Sequence, residues 1–123
     1  MSESKEYLVK DVEKGTINIS EEVVAAIAAV AVREVEGVYG LQSSFTADIK
    51  EMLGSKNLSR GVKLTIEEDV VTVECFVAIT YGYEIPAVAA NIQENVIGAL
   101  ESMTGLKVAA VNVDVCGIAS VKE

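Results

Sequence analysis

The stretch VVTVECFVAITYGY, residues 70–83, decides the fold. It is the longest strand-like run in the chain. By the two-residue period of a strand, Val71, Val73, Cys75, Val77 and Ile79 share one face, and Thr72, Glu74, Phe76, Ala78 and Thr80 share the other. A strand with one apolar face needs partners beside it and a cover above it. The sequence on both sides supplies them.

Immediately upstream, Val62, Leu64 and Ile66 alternate with Lys63 and Thr65, and Glu67, Glu68 and Asp69 form a charged turn. That pattern predicts a hairpin with the central strand. Downstream, Gly82 and Pro86 break the alternation, and Pro86 suits the first turn of a helix. This helix is expected to reach Thr104 and to end at Gly105. Ala89, Ile92, Val96, Ala99, Leu100 and Met103 would face the core, with Asn91, Glu94, Asn95, Glu101 and Ser102 opposite. A last strand over 106–118 would turn Ala109, Val111, Val113 and Val115 inward.

Further upstream, Thr16 to Ile19 reads as a short strand. Ser20 is a good N-cap, and Glu21 and Glu22 sit where the helix dipole favours negative charge. The helix is expected to run to Glu36, with Gly37 as its stop and Val24, Ile27, Ala31 and Val35 as its core stripe. Val23 and Val30 flank the stripe on one side, and Ala25, Ala29 and Val32 on the other. Such a helix either sinks deeply or packs against another subunit as well. Val38 to Leu41 is a short strand. In 42–60, Phe45, Ile49, Met52 and Leu53 have helical spacing, so a short helix over 46–53 ended by Gly54 is expected, then a loop. Residues 1–15 read as a flexible N-terminal arm in which Tyr7 and Val9 could add an edge strand.

One domain over 16–121 follows, in the order β-α-β-β-β-α-β. The fold class is α+β, a two-layer sandwich of one mostly antiparallel sheet with two main helices on one face. The outer sheet face would be polar, apart from a small patch of Phe76, Val108 and Ala110. That patch reads either as ordinary exposure or as a dimer or partner face. The candidate interaction surface is therefore Val23, Val30, Phe76, Val108 and Ala110.

Composition limits the chemistry. A net charge of −9 opposes roles that rest on neutralising phosphates, so no nucleic acid is expected as a partner. With no histidine, the usual neutral-pH base and the commonest metal ligand are missing, and Cys75 and Cys116 have no partner for nucleophilic catalysis. Their strand parities put the thiols on opposite faces, unable to bridge, as reduced thiols of a cytoplasmic protein. The longest apolar run, residues 23–32, falls short of the ~20 residues that span a bilayer, so direct membrane insertion is not expected. Nor does the N-terminus show an apolar signal core. Gly37-Val38-Tyr39-Gly40 has the GxxG spacing of an RNA-binding loop but lies beside Glu34 and Glu36, so a helix cap and turn is the better reading. The acidic turn at 67–69 lacks the ligand spacing of a calcium loop. No catalytic residue, metal site or cofactor is expected. A small ligand sensed near the loop from Tyr81 to Pro86 remains the alternative, with turn packing as the default role of Tyr81 and Tyr83.

An ordered set of short pieces spans almost the whole chain: GTINISEEV (15–23), GVYGL (37–41), RGVKL (60–64), Tyr81-Gly82, Ile85-Pro86, Ala89, Gln93, Val96, MTGL (103–106), VNVDV (111–115) and Gly117-Ile118. In this set, from about Val12 to Val121, the chain resembles the alkaline shock protein family, also called Gls-type general stress proteins. The resemblance implies a small bacterial protein of the cell-envelope stress response with no enzymatic activity and no catalytic residues to carry over. It also implies a homo-oligomer and a membrane-anchored protein partner, hence a cytoplasmic location that can be peripheral at the inner face of the membrane.

Overall fold

The computed structural model describes residues 7–12, 14–42 and 61–120. Along them run β1 (Tyr7–Val12), β2 (Gly15–Ser20), α1 (Glu21–Arg33), β3 (Val38–Leu41), β4 (Val62–Glu67), β5 (Val70–Thr80), α2 (Ile85–Thr104) and β6 (Lys107–Ala119). The fold is α+β, with both helices over one sheet, as the sequence implies. The short helix expected over 46–53 lies outside the described residues.

β5 is the middle of the sheet, and Val71, Val73, Cys75, Val77 and Ile79 are wholly buried, as their alternation requires. β4 pairs antiparallel with its first half, from Val62 opposite Cys75 to Glu67 opposite Val70. The turn between them holds Glu68 and Asp69 at φ 50° and 74°, the pair of positive angles that matches a tight hairpin to strand twist. β3 pairs antiparallel with the second half, from Leu41 opposite Val77 to Val38 opposite Ile79. β3 and β4 thus lie end to end along one side of β5 and run the same way. They meet at Phe76, whose carbonyl accepts from the Gln42 amide and whose amide donates to the Gly61 carbonyl, each at 2.8 Å.

On the other side of β5, β6 pairs parallel along the full length, reached through the α2 crossover. Two extra residues interrupt this ladder. Val71 faces Val108 but Thr72 faces Ala110, so Ala109 bulges. Val77 faces Val115 but Ala78 faces Gly117, so Cys116 bulges. The first bulge corrects the expected parity: Ala109 is exposed and Val108 turns inward, packed against the core. The strand at 15–20 is corrected as well. It pairs with β1 in a separate two-stranded sheet instead of joining the main one. Only two residues connect the two strands, so this pairing closes the shortest of loops.

α1 begins at Ser20, whose hydroxyl accepts from the Val23 amide at 3.2 Å. It ends at Arg33, three residues short of expectation, and a turn carries the chain to Gly37 at φ 100°. Its buried face is Val24, Ala25, Ala28, Ala29, Ala31 and Val32. The stripe is therefore rotated toward the alanine flank, and Ile27 and Val35 are only half-buried. Small side chains let a helix axis approach its neighbours, so the alanines go inside and the bulkier valines of the other flank stay outside. In α2 the buried row is Val88, Ile92, Val96, Leu100 and Thr104, a strict four-residue spacing. Met103, expected inward, stands one position off that row and is 67% exposed. Gly105 closes the helix at φ 77°.

Candidate functional site

The rotation of α1 creates the most distinctive surface of the domain. Val23 and Val30 are 48% and 47% exposed, two turns apart on the face turned from the sheet. With Ala26, Ile27, Ala99 and Met103 they line a shallow apolar hollow of about 340 Å³ between α1 and α2. The helices run antiparallel: the start of α1 lies beside the end of α2, and the Asn95 side-chain amide donates to the Ala31 carbonyl at 2.7 Å.

Glu34 ends this hollow and opens a second one, of about 510 Å³, lined by Glu34, Val35, Glu36, Asn91, Glu94 and Asn95. The two make one valley, apolar at the Val23 end and acidic at the Glu34 end. Val23 and Val30 stood out in the sequence. Met103, Ala26, Ala99 and Glu34 did not, although the displacement of Met103 from the 88–92–96–100–104 row was there to be seen.

The outer sheet face does not assemble the expected patch. Val108 belongs to the inner face. Ala110 stands opposite Thr72 and Phe76 opposite Asp114, four residues apart along β5, or about 13 Å. The half-buried Phe76 ring instead carries the Lys63 ammonium 5.7 Å from its centroid, a cation–π contact. Glu74 lies between Lys63 on β4 and Asn112 on β6. The hydrogen bond with Asp114 holds its carboxyl above the usual glutamate range, helped by burial and the Asp114 charge and opposed by Lys63. This pair could not be seen without the register of β5 on β6.

Both thiols are free, with Cys75 buried and Cys116 exposed at the second bulge. Burial, aided by the Asp114 and Glu74 charges, pushes the Cys75 thiol up to about 12. In the loop before α2, Tyr81 is 74% exposed, whereas the Tyr83 ring packs on Gly37 and its hydroxyl donates to Glu36 Oε2 at 3.2 Å. The Glu36 charge, then that hydrogen bond, raise the Tyr83 hydroxyl above its ordinary range. Among the described residues, no helix is long and apolar enough to cross a membrane, and no group of three or more acidic or cysteine side chains is placed to hold a metal ion.

YqhY of Bacillus subtilis (strain 168) is 35% identical to this chain over 109 residues, covering 89% of this chain and 81% of that protein. A stress response regulator gls24 homolog of Streptococcus pyogenes serotype M3 is 26% identical over 106 residues, covering 85% of this chain and 59% of that one. In backbone shape the chain is similar to a variant of the MamM CTD, with a TM-score of 0.48 and 15% identity over 82% of this chain and 95% of that chain. A family model of cell envelope-related function matches residues 9–120, nearly everything described above. The chain therefore belongs to the ASP23 family, the alkaline shock group.

Proposed function

We propose that this chain is a non-enzymatic protein-interaction module of cell-envelope stress homeostasis, which self-associates and docks on a membrane-anchored protein. The apolar half of the valley carries this reading. Val23, Val30 and Met103 are held about half in water by a domain that buries alanines on the same helix. Covering those three side chains contributes on the order of 3 kcal/mol to any complex that does so. The family's envelope-related description supports the setting, and a sequence without histidine supports a role that is not catalytic.

We assign self-association to the open edge of β6. Glu101 accepts from the Val108 amide at 3.2 Å, and Gln93 donates to the Val111 carbonyl at 3.0 Å, so α2 fills that edge at its start. By the two-residue alternation, Val113 and Val115 present their main-chain groups the same way, where no strand pairs among the described residues. A second β6 fits there.

The test is molar mass by size exclusion with light scattering over a range of concentrations, with crosslinked capture from envelope fractions of the native host. A dimer or larger species is expected, lost in Val115→Pro, together with capture of a membrane protein that Val30→Asp abolishes. A monomer at every concentration that captures nothing overturns the proposal.

A further inference from the structure

We infer that the valley between α1 and α2 receives one amphipathic helix whose apolar stripe is followed by Lys or Arg. This rests on reading the helical layer as a docking face and names the kind of partner segment that fits it.

Shape comes first. Both walls are helices, and their main-chain groups are bonded within the helices, so an extended strand laid between them would find no partners for its own amides. A helix arrives with its backbone already satisfied, and its side chains enter the furrow between two antiparallel neighbours. Val23, Ile27, Val30 and Glu34 follow the 4-3-4 spacing that accepts such rows. From Val23 to Glu34 is about 16 Å at 1.5 Å per residue, so the occupant needs about three turns.

Charge decides which helix. The valley turns from the apolar lining of Val23, Ala26 and Met103 to the acidic lining of Glu34, Glu36 and Glu94, and among the described residues no basic side chain lines either half. A second copy of this helical layer would bring Glu34, Glu36 and Glu94 against the same set, with Arg33 as the single basic residue of α1 and α2. Like charges facing each other across an interface suppress the wrong partner. The same acidic end opposes an anionic lipid surface. A helix with leucine-like residues at i, i+4 and i+7 and cations in its next turn satisfies both halves.

The experiment uses the full chain, labelled with ¹⁵N, and three synthetic helical peptides of about four turns. The first has a Leu stripe and ends in Lys and Arg. The second ends in Glu instead. The third keeps the basic residues but scrambles the stripe. The first should shift amide signals confined to residues 23–36 and 91–103, and the other two should bind at least tenfold more weakly.

Val30→Asp should weaken the first peptide more than tenfold. Glu34→Lys combined with Glu94→Lys should reverse the preference between the first two. Val30 and both glutamates are exposed, so these variants keep the fold, which their own spectra verify. No shift at millimolar peptide, shifts elsewhere, or equal binding of all three overturns the inference. So do valley signals that change on dilution of the chain alone, which would make a second copy the occupant. If the peptides fail while envelope capture still depends on Val30, the helix is wrong and the interaction module stands.

Discussion

Tyr83 closes over Gly37. A methyl group built on residue 37 would sit 2.9 Å from Cδ2 of the tyrosine ring and 2.8 Å from Cγ2 of Val88, and residue 37 holds φ at 100°. The Gly37 carbonyl also accepts from the Thr80 amide at 2.8 Å. One position therefore ties the turn after α1 to the end of β5 and the start of α2.

Gly37→Ala should destabilise the domain by about 2–4 kcal/mol, the sum of a strained backbone and an overpacked contact. Urea denaturation followed by circular dichroism measures this. Tyr83→Ala combined with Gly37→Ala should relieve the ring's share of the contact and leave the Val88 contact and the backbone part. A Gly37→Ala protein as stable as the parent would show that the loop moves freely.

The Glu74–Asp114 pair sets a pH dependence. The folded state holds the Glu74 proton more tightly than the unfolded chain does, because the hydrogen bond to Asp114 needs it. Stability from this pair is then complete below the ordinary glutamate range and declines as pH rises through the raised value. Glu74→Gln keeps a donor at every pH, so it should flatten that decline and make the protein more stable than the parent at pH 7. Denaturation midpoints from pH 3.5 to 8 give the comparison.

Thr104 is the buried polar residue of the described core. Its hydroxyl donates to the Leu100 carbonyl at 2.6 Å and accepts from the Leu106 amide at 3.1 Å. Thr104→Val strands that amide where α2 hands over to β6, and a loss of about 1–3 kcal/mol is expected. Thr104→Ser keeps both bonds and should lose less. Thermal unfolding of the two variants side by side separates the hydrogen bonds from the methyl group.

The two thiols should differ in reactivity. Cys116 is exposed and Cys75 is buried with its thiol pushed up to about 12. A thiol reagent at pH 8 should label one site per folded chain and two in denaturant, with peptide mass mapping placing the first on Cys116. Rapid labelling of Cys75 in the native protein would mean that β5 opens.

What could be read from the residues follows their patterning. β5 and its hairpin with β4 alternate large apolar and polar side chains, so their faces and register could be read directly. α2 is bracketed by Pro86 and Gly105, and both ends hold. Reading stalls where small residues erase the contrast between faces. In Val108-Ala109-Ala110-Val111 either phase is apolar, so nothing in the pattern marks Ala109 as the extra residue, and Val108 takes the face opposite to the one its parity implies. In α1, alanines cover nearly half the circumference, and packing distance, not hydropathy, chose which flank went inside. The valley inherits both difficulties: Val23 and Val30 stand out, but their union with Met103 and Glu34 depends on how two helices lie.

β3 and β4 are, in effect, one edge strand whose two halves abut at Phe76, since Gln42 and Gly61 both bond to that residue. The chain departs and returns at a single point, so the distance between the two ends does not depend on how many residues lie between them. Between two such fixed points a flexible insert costs little more when longer: by loop-closure entropy, each doubling adds about 0.6 kcal/mol. This junction is accordingly a natural port for an inserted tag or a whole guest domain, which would hang from the sheet edge while both pairings of β5 and the helical valley on the opposite layer keep their places.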